Sequence, residues 1–254
     1  MHHQDRRRAE SFGEDAEAYD RARPTYPPAL IADLLAESPH RVLDIGCGTG
    51  KAGRLFVDLG CEVVGVEPDG RMARVAGRYG MAVDEATFEG WDPAGRMFDL
   101  AVSGQAWHWV DPHVGPHKAA QVLRPGGRLA LFWNFGRHDP DTKAAFDEVY
   151  GRLAPSLTED SSPLGTVRRD GGASHLGPLA QTALFEGLEV RAYGWEQRYS
   201  RTEWLEQLPT HSDHRLLPGH QLTNLLRAVG EAIDRLGGSI RVSYQTSLIT
   251  ARRR

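Results

Sequence analysis

The sequence is poor in cysteine, with Cys47 and Cys61 the two among 254 residues. They form no C-x-x-C or zinc-type spacing, so neither a disulfide framework nor a thiolate metal site is expected. Both read as small buried packers in a reducing compartment. Long apolar runs are also missing. No stretch approaches the ~20 residues that span a bilayer, and Met1-His-His-Gln-Asp5 shows no signal-peptide pattern. Membrane attachment is therefore not expected, and the cytoplasm is the expected compartment. A dominant charge sign is lacking too. Thirty Lys and Arg stand against 34 Asp and Glu, a net charge of −4 with both signs mixed along the chain. Nucleic-acid binding wants clustered cations, whereas Arg6-Arg-Arg8 and Arg252-Arg-Arg254 are short basic ends that read as solvated tails. There are no internal repeats. The length and an ordinary 40% hydrophobic content suffice for a full core.

The chain is organised around His40-Arg-Val-Leu-Asp-Ile-Gly-Cys-Gly-Thr-Gly50. Val42, Leu43 and Ile45 read as a short buried strand. Gly46, Gly48 and Gly50 follow at alternating positions, and a helix is expected from Lys51, with Leu55, Phe56 and Leu59 on one side. Glycine admits φ > 0 and close approach of a ligand to the main chain, and the helix N-terminus offers unpaired N–H groups. The dinucleotide fingerprint is G-x-G-x-x-G. Here the spacing is the tighter G-x-G-x-G, and an acid, Asp44, precedes it. That combination suits a ligand carrying an amino group.

The run Val42-Leu-Asp-Ile-Gly-Cys-Gly-Thr-Gly50 closely resembles motif I of the class I S-adenosylmethionine (SAM) methyltransferases. The resemblance implies an α/β, Rossmann-like fold. Its seven-stranded, mostly parallel sheet would carry helices on both faces, with the last strand inserted antiparallel. It also implies SAM as cofactor, S-adenosylhomocysteine as product, and Asp44, Gly46, Cys47, Gly48 and Gly50 around the cofactor. A second strand, Cys61 to Glu67, ends in an acid about twenty residues beyond the glycines, where a carboxylate can accept from both ribose hydroxyls. The resemblance gives Glu67 that role, with Pro68 beside it. Asp69 is placed to cap the next helix, Gly70 to Tyr79, whose Met72 is a candidate for the adenine face. After a third strand, Met81 to Ala86, the family uses backbone donors at the adenine edge, here Thr87 and Phe88. An acid common at that place is absent.

The fourth strand, Met97 to Ser103, runs into Gly104-Gln-Ala-Trp-His-Trp-Val-Asp111. Ligands of open α/β sheets sit outside the carboxyl ends of the strands, at the switch point. Gln105, Trp107 and His108 are therefore expected to face the methyl group and its acceptor, with Ser103 and Ala106 counted among the cofactor contacts. Trp107 and His108 are the candidate catalytic residues. A competing reading makes Trp107 and Trp109 core anchors with His108 as their partner. Upstream, Phe12, Tyr19, Arg23, Tyr26 and Pro27 are similar to the segment that caps the cofactor in a large subgroup of the family, so Tyr19 and Arg23 join the cofactor set.

A helix is expected from Asp111 to Leu123, then the turn Arg124-Pro-Gly-Gly127 and a fifth strand, Arg128 to Trp133. Further helices are read over 141–153, 176–185, 202–208 and 218–236, with strands over 188–199 and 239–250. Residues 155–174 read as a loop or lid. The chain is taken as a single domain, 1–254. Its parts are N-terminal helices (1–40), a SAM-binding core (41–135) and a variable cap (138–237). The subgroup resembled includes trans-aconitate-type enzymes acting on small carboxylic acids. The expected activity is therefore methyl transfer from SAM to a small-molecule acceptor, by O-methylation of a carboxylate or similar group. No metal, nucleic acid or membrane takes part, and the state is monomer or homodimer. An NAD(P)-dependent oxidoreductase and a non-catalytic SAM-binding module are the alternatives.

Overall fold

The computed structural model describes residues 13, 15–157 and 176–254. Two N-terminal helices, α1 (Ala16–Ala22) and α2 (Pro28–Leu35), precede β1 (Arg41–Ile45), α3 (Gly53–Val57), β2 (Glu62–Val66), α4 (Gly70–Gly77), β3 (Ala82–Asp84) and β4 (Phe98–Gly104). A 3₁₀ turn at Trp107–Trp109 leads to α5 (Gly115–Val122) and β5 (Leu123–His138). The rest is α6 (Pro140–Leu153), α7 (Leu176–Gln181), β6 (Phe185–Ser200), α8 (Arg201–Gln207), α9 (Ser212–Arg215), α10 (Gly219–Arg235) and β7 (Ser239–Arg253). The loop expected over 155–174 lies, from residue 158 on, outside the described residues, as does Phe12.

Among the described residues, seven strands make one sheet in the order β3-β2-β1-β4-β5-β7-β6. The first five pair in parallel, and β7 lies antiparallel between β5 and β6. Parallel strands are covered on both faces and read as unbroken apolar runs. Accordingly Val42, Leu43 and Ile45 are fully buried. Because β1 has β2 on one side and β4 on the other, the order reverses at β1, and the crevice for a ligand opens at the carboxyl ends of β1 and β4.

One apolar cluster joins α2, Phe56 and the β1–β4–β5 strands, and a second joins Phe88, Trp91, Trp107 and α5. A third packs α6, α8 and α10 around Trp204 against the distal halves of β6 and β7. Helix starts are fixed by side chains. Asp69 caps α4, Asp139 caps α6, and Ser200 with Glu203 forms a capping box on α8.

Several boundaries differ from those read in the sequence. Helix α3 begins at Gly53 and is only five residues long, and Leu59 is exposed rather than part of its buried side. Helix α5 begins at Gly115, because Asp111 accepts the His113 and Val114 amides in a turn of its own. Arg124-Pro-Gly-Gly127 is an irregularity within β5 rather than a turn ahead of it. The pairing with β4 slips there, and Gly126 takes φ +78°. Helix α7 stops at Gln181, since Phe185 already pairs with Arg253.

Candidate active site

The glycine loop is pinned to the end of β2, where the amides of Gly46 and Cys47 donate to Val66 O at 2.9 and 3.2 Å. Gly46, Gly48 and Gly50 all have positive φ, which side chains resist. At Gly46 space is also missing, for a Cβ would stand 2.7 Å from Ala106 Cβ. The loop therefore presses directly on the segment after β4. At Gly48 a Cβ would meet Met72 Cε at an ordinary 3.5 Å. There, backbone conformation rather than crowding demands glycine.

Two buried carboxyls hold this loop. Glu67 accepts from Gly48 N (2.9 Å) and Asp69 N (3.0 Å), one on each oxygen. Asp44 accepts Gly53 N on Oδ2 at 2.8 Å, while its Oδ1 is buried with no partner among the described residues. Burial pushes both acids up to about 7. The backbone donors oppose this, and the charge of Glu67 adds to the rise at Asp44. This donor set fits SAM. An orphaned carboxylate oxygen can take an ammonium N–H, and a carboxylate with lone pairs beyond those given to two amides can take ribose hydroxyls. When bound, the cofactor supplies a methyl group already activated on a sulfonium.

After β4 the chain bends sharply. Gln105 has φ +57°, uncommon for a residue with a side chain, and is held there by its amide on Phe132 O (2.9 Å) and its Nε2 on Asn134 O (3.3 Å). Tyr26 closes over this bend, since a Cβ on Gly104 would lie 2.6 Å from its hydroxyl. His108 is partly exposed and accepts Trp133 Nε1–H on Nδ1 at 3.4 Å.

Other expected site residues are placed differently. Trp107 is 4% exposed, tilted against Phe88 at 6.2 Å and packed on Gly115. It packs as a core anchor. The Phe88 ring is likewise buried, stacked on Trp91, and Thr87 beside it is half-buried. Ser103 is fully buried and donates to Ile45 O at 2.9 Å, tying β4 to β1 rather than facing a ligand. Cys47 packs its sulfur against Gly65 of β2, and Pro68 is exposed beside Glu67. Met72 is buried with Ala16, Val75, Tyr19 and Tyr79, so it joins the loop to α1. Arg23 lies over the Tyr19 ring at 5.2 Å and sends Nη2 to Thr210 O at 2.8 Å, toward α8 and α9.

The structure thus brings Asp44, the three glycines, Glu67, Met72, Gln105 and Ala106 together. It adds groups the sequence reading passed over. Lys51, directly after Gly50, is half-buried, and its amine is pushed down to about 8 by burial and by Arg54, against Asp20. Asn134 donates Nδ2 to Thr25 O and accepts Thr246 Oγ1 on Oδ1, linking the β4–β5 end to β7. The Arg23-Pro-Thr-Tyr-Pro27 segment was the one sequence signal for this closure. Asn134 and Lys51 carry no spacing of their own.

Comparison with known proteins agrees with this geometry. The methyltransferase domain family matches residues 19–235. An uncharacterized methyltransferase of Mycobacterium tuberculosis is 44% identical over 165 residues, covering 63% of this chain and 68% of that one. A trans-aconitate 2-methyltransferase of Streptomyces avermitilis is 31% identical over 196 residues, covering 70% and 68%. Among solved structures, one described as a type II methyltransferase from Anaeromyxobacter dehalogenans superposes with a TM-score of 0.65 at 27% identity over 91% of this chain and 97% of that one. With the glycine loop, its two acids and the seven-stranded order on the same side of the argument, the chain belongs to the SAM-dependent methyltransferase family.

Proposed function

We propose that this methyltransferase esterifies a carboxylate of a small-molecule acid. The observation that carries the reading is the hydrogen bond from Trp133 Nε1 to His108 Nδ1. Trp is a donor only, so the bond occupies the Nδ1 lone pair and places the proton of the neutral ring on Nε2. A histidine in that tautomer donates from Nε2. It can hold an anionic oxygen, but it has no free lone pair there with which to remove a proton. Trp107, the other expected catalytic group, is in the core. A carboxylate is already ionised near neutral pH and needs no base. The chain's work then reduces to orienting the acceptor and excluding water. The strained Gln105 bend, held by Phe132 and Asn134 and covered by Tyr26, supplies that rigid wall.

Relatives support an acid. Besides the trans-aconitate enzyme, a malonyl-[acyl-carrier protein] O-methyltransferase of Enterobacter lignolyticus is 36% identical over 130 residues, covering 46% of this chain and 51% of that one. The mixed-sign surface charge supports a small acceptor over a nucleic acid. The test is a screen of pooled carboxylic acids, phenols and amines for formation of S-adenosylhomocysteine, followed by alkaline hydrolysis of the product. Methyl esters are expected, and these lose methanol in alkali. A product stable to alkali, an ether or a methylamine, overturns the proposal.

A further inference from the structure

We propose that an acid group of the acceptor is recognised between Arg23 and His211, under α8 and α9, with Gln207 accepting a hydroxyl or N–H of the same molecule. The inference rests on the carboxylate reading above and moves Arg23 from the cofactor to the acceptor side.

Three buried polar atoms around this junction have no partner among the described residues. Arg23 spends Nη2 on Thr210 O, but its buried Nε–H has no acceptor. His211, next along from Thr210, is 8% exposed, and its Nε2 is buried and unpaired. Gln207, 1% exposed and one turn earlier, leaves Oε1 unpaired, while Thr210 Oγ1 closes on Gln207 O at 2.6 Å. The Tyr199 and Tyr244 hydroxyls, 2.8 Å apart, border the same place, and the Arg23 charge is felt at His211, Tyr199 and Tyr244. Folded chains seldom bury polar atoms unmatched, and a cluster of them calls for a ligand or ordered water.

The donor set selects the ligand. Arg Nε is a donor only, a neutral imidazole can donate from Nε2, and an amide oxygen only accepts. A carboxylate satisfies the two donors, and an adjacent hydroxyl or N–H satisfies Gln207. A cleft of about 220 Å³, lined by Arg23, Thr25, Lys51 and Tyr199, adjoins the junction at Arg23. Lys51 follows Gly50 directly, so the cleft lies beside the glycine loop, and Arg23 and Tyr199 stand both on its wall and at the junction. Its cations Arg21, Arg23 and Lys51 favour an anion. Of the two acids on the facing wall, Glu203 is committed to the Ser200 cap and Glu206 is exposed.

The test titrates the S-adenosylhomocysteine complex with acetate, malonate, malate and trans-aconitate, and with trimethyl trans-aconitate as the neutral control. Calorimetry is run on wild type, Arg23→Gln, Arg23→Lys and His211→Asn, each checked for its thermal transition. At least one free acid is expected to bind and the ester not. Arg23→Gln should weaken that binding about 10- to 150-fold, as loss of a charge-assisted bond does. Arg23→Lys and His211→Asn should weaken it less, with SAM affinity within twofold of wild type throughout. Unchanged acid affinity in the folded Arg23 and His211 variants overturns the site, as does a loss of SAM affinity in Arg23→Gln with acid binding intact. Should wild type form esters while the variants keep its KM for the acid, this site fails and esterification stands. Should no acid bind or react, esterification itself fails and the site with it.

Discussion

The glycine loop and the α8–β7 junction are both polar, both buried and built on opposite principles. The loop is local. Asp44, Gly46, Gly48, Gly50 and Glu67 lie within one strand–turn–helix–strand unit, and most of their contacts are to backbone amides. The junction is assembled from Arg23, Tyr199, Gln207, His211 and Tyr244, which come from separate elements and are brought together by packing, with Arg23 on the Thr210 carbonyl and Tyr199 on Tyr244. Burial acts on the two with opposite sign. It pushes the loop's carboxyls up toward neutrality and the junction's His211 far down, the Arg23 charge adding to the fall. A cofactor common to many reactions can be held by main-chain geometry, which tolerates little change. An acceptor can be held by side chains that packing brings together, and these can change without disturbing the loop.

If the two regions are separable, damage to one should spare the other. Trp204 is fully buried among Phe146, Tyr199 and His138. Trp204→Ala should cost about 3–5 kcal/mol of stability in urea unfolding, while SAM affinity in the folded protein at low temperature stays within about threefold. A loss of SAM binding parallel to the loss of stability would join the two regions into one unit.

A second separation is in pH. His138 stands at the end of β5 with both ring nitrogens buried and unpaired, edge-on to Phe146 and Trp204. Burial pushes its pKa down from 6.5 to about 4, against the pull of Asp139 and Asp147. The unfolded chain therefore binds the proton first. Stability from this group is full above pH 6.5 and falls as pH drops toward 4, by up to about 3 kcal/mol. Asp44 and Glu67, raised to about 7, run the other way. Their contribution is full below the unfolded carboxyl range and is lost as pH rises toward 7. Denaturation of wild type and His138→Phe across pH 4–8 separates the two. The variant should lose the acid-side decline and keep the neutral-side one. Parallel curves for the two proteins would remove His138 from the account.

The same contrast explains what the sequence showed. The strand–loop–helix unit, the glycine loop and the strand-end acid follow from spacing along a continuous stretch, so local pattern reveals them, while the seven-stranded sheet with its antiparallel last strand came from the resemblance. Trp107 kept two readings because a tryptophan after a strand end reads alike whether it faces a crevice or the core. Only its packing on Phe88 and Gly115 decides. Ser103 looked available because nothing in its neighbours announces the Ile45 carbonyl 58 residues away. His211 and Gln207 sit in Gln-Leu-Pro-Thr-His, which resembles no motif, and their meeting with Arg23 is tertiary.

On the cofactor side, Glu67→Ala should raise the SAM Kd about 10- to 150-fold, the cost of a charge-assisted hydrogen bond. It should also loosen the loop, since the Gly48 and Asp69 amides lose their acceptor. Glu67→Gln, which keeps one acceptor oxygen, should fall between the two. Calorimetry gives both values, and a change below twofold in Glu67→Ala would place the ribose elsewhere.

The smallest effect is expected at His108, and it bears most directly on the chemistry. Its Nδ1 takes the Trp133 indole proton, so in the esterification reading it contributes a donor from Nε2 and positions an oxygen. His108→Gln retains an N–H donor, and kcat/KM should fall by less than about tenfold, with the shape of the pH–rate profile preserved. SAM affinity should not move, because in this reading the residue faces the acceptor and makes no contact with the cofactor. A general base behaves otherwise. Its removal costs about 10²- to 10⁴-fold and deletes a limb in the histidine range. Trp133→Phe discriminates further. It frees Nδ1, so the neutral ring can exchange tautomers and a lone pair can appear on Nε2. A positioning histidine then loses some of its hold, and KM for the acid should rise while kcat changes little. A base would instead gain access to its proton, and kcat should rise toward high pH. Steady-state kinetics of the two variants across pH 5–9 therefore tests positioning against proton removal, with the first outcome expected here.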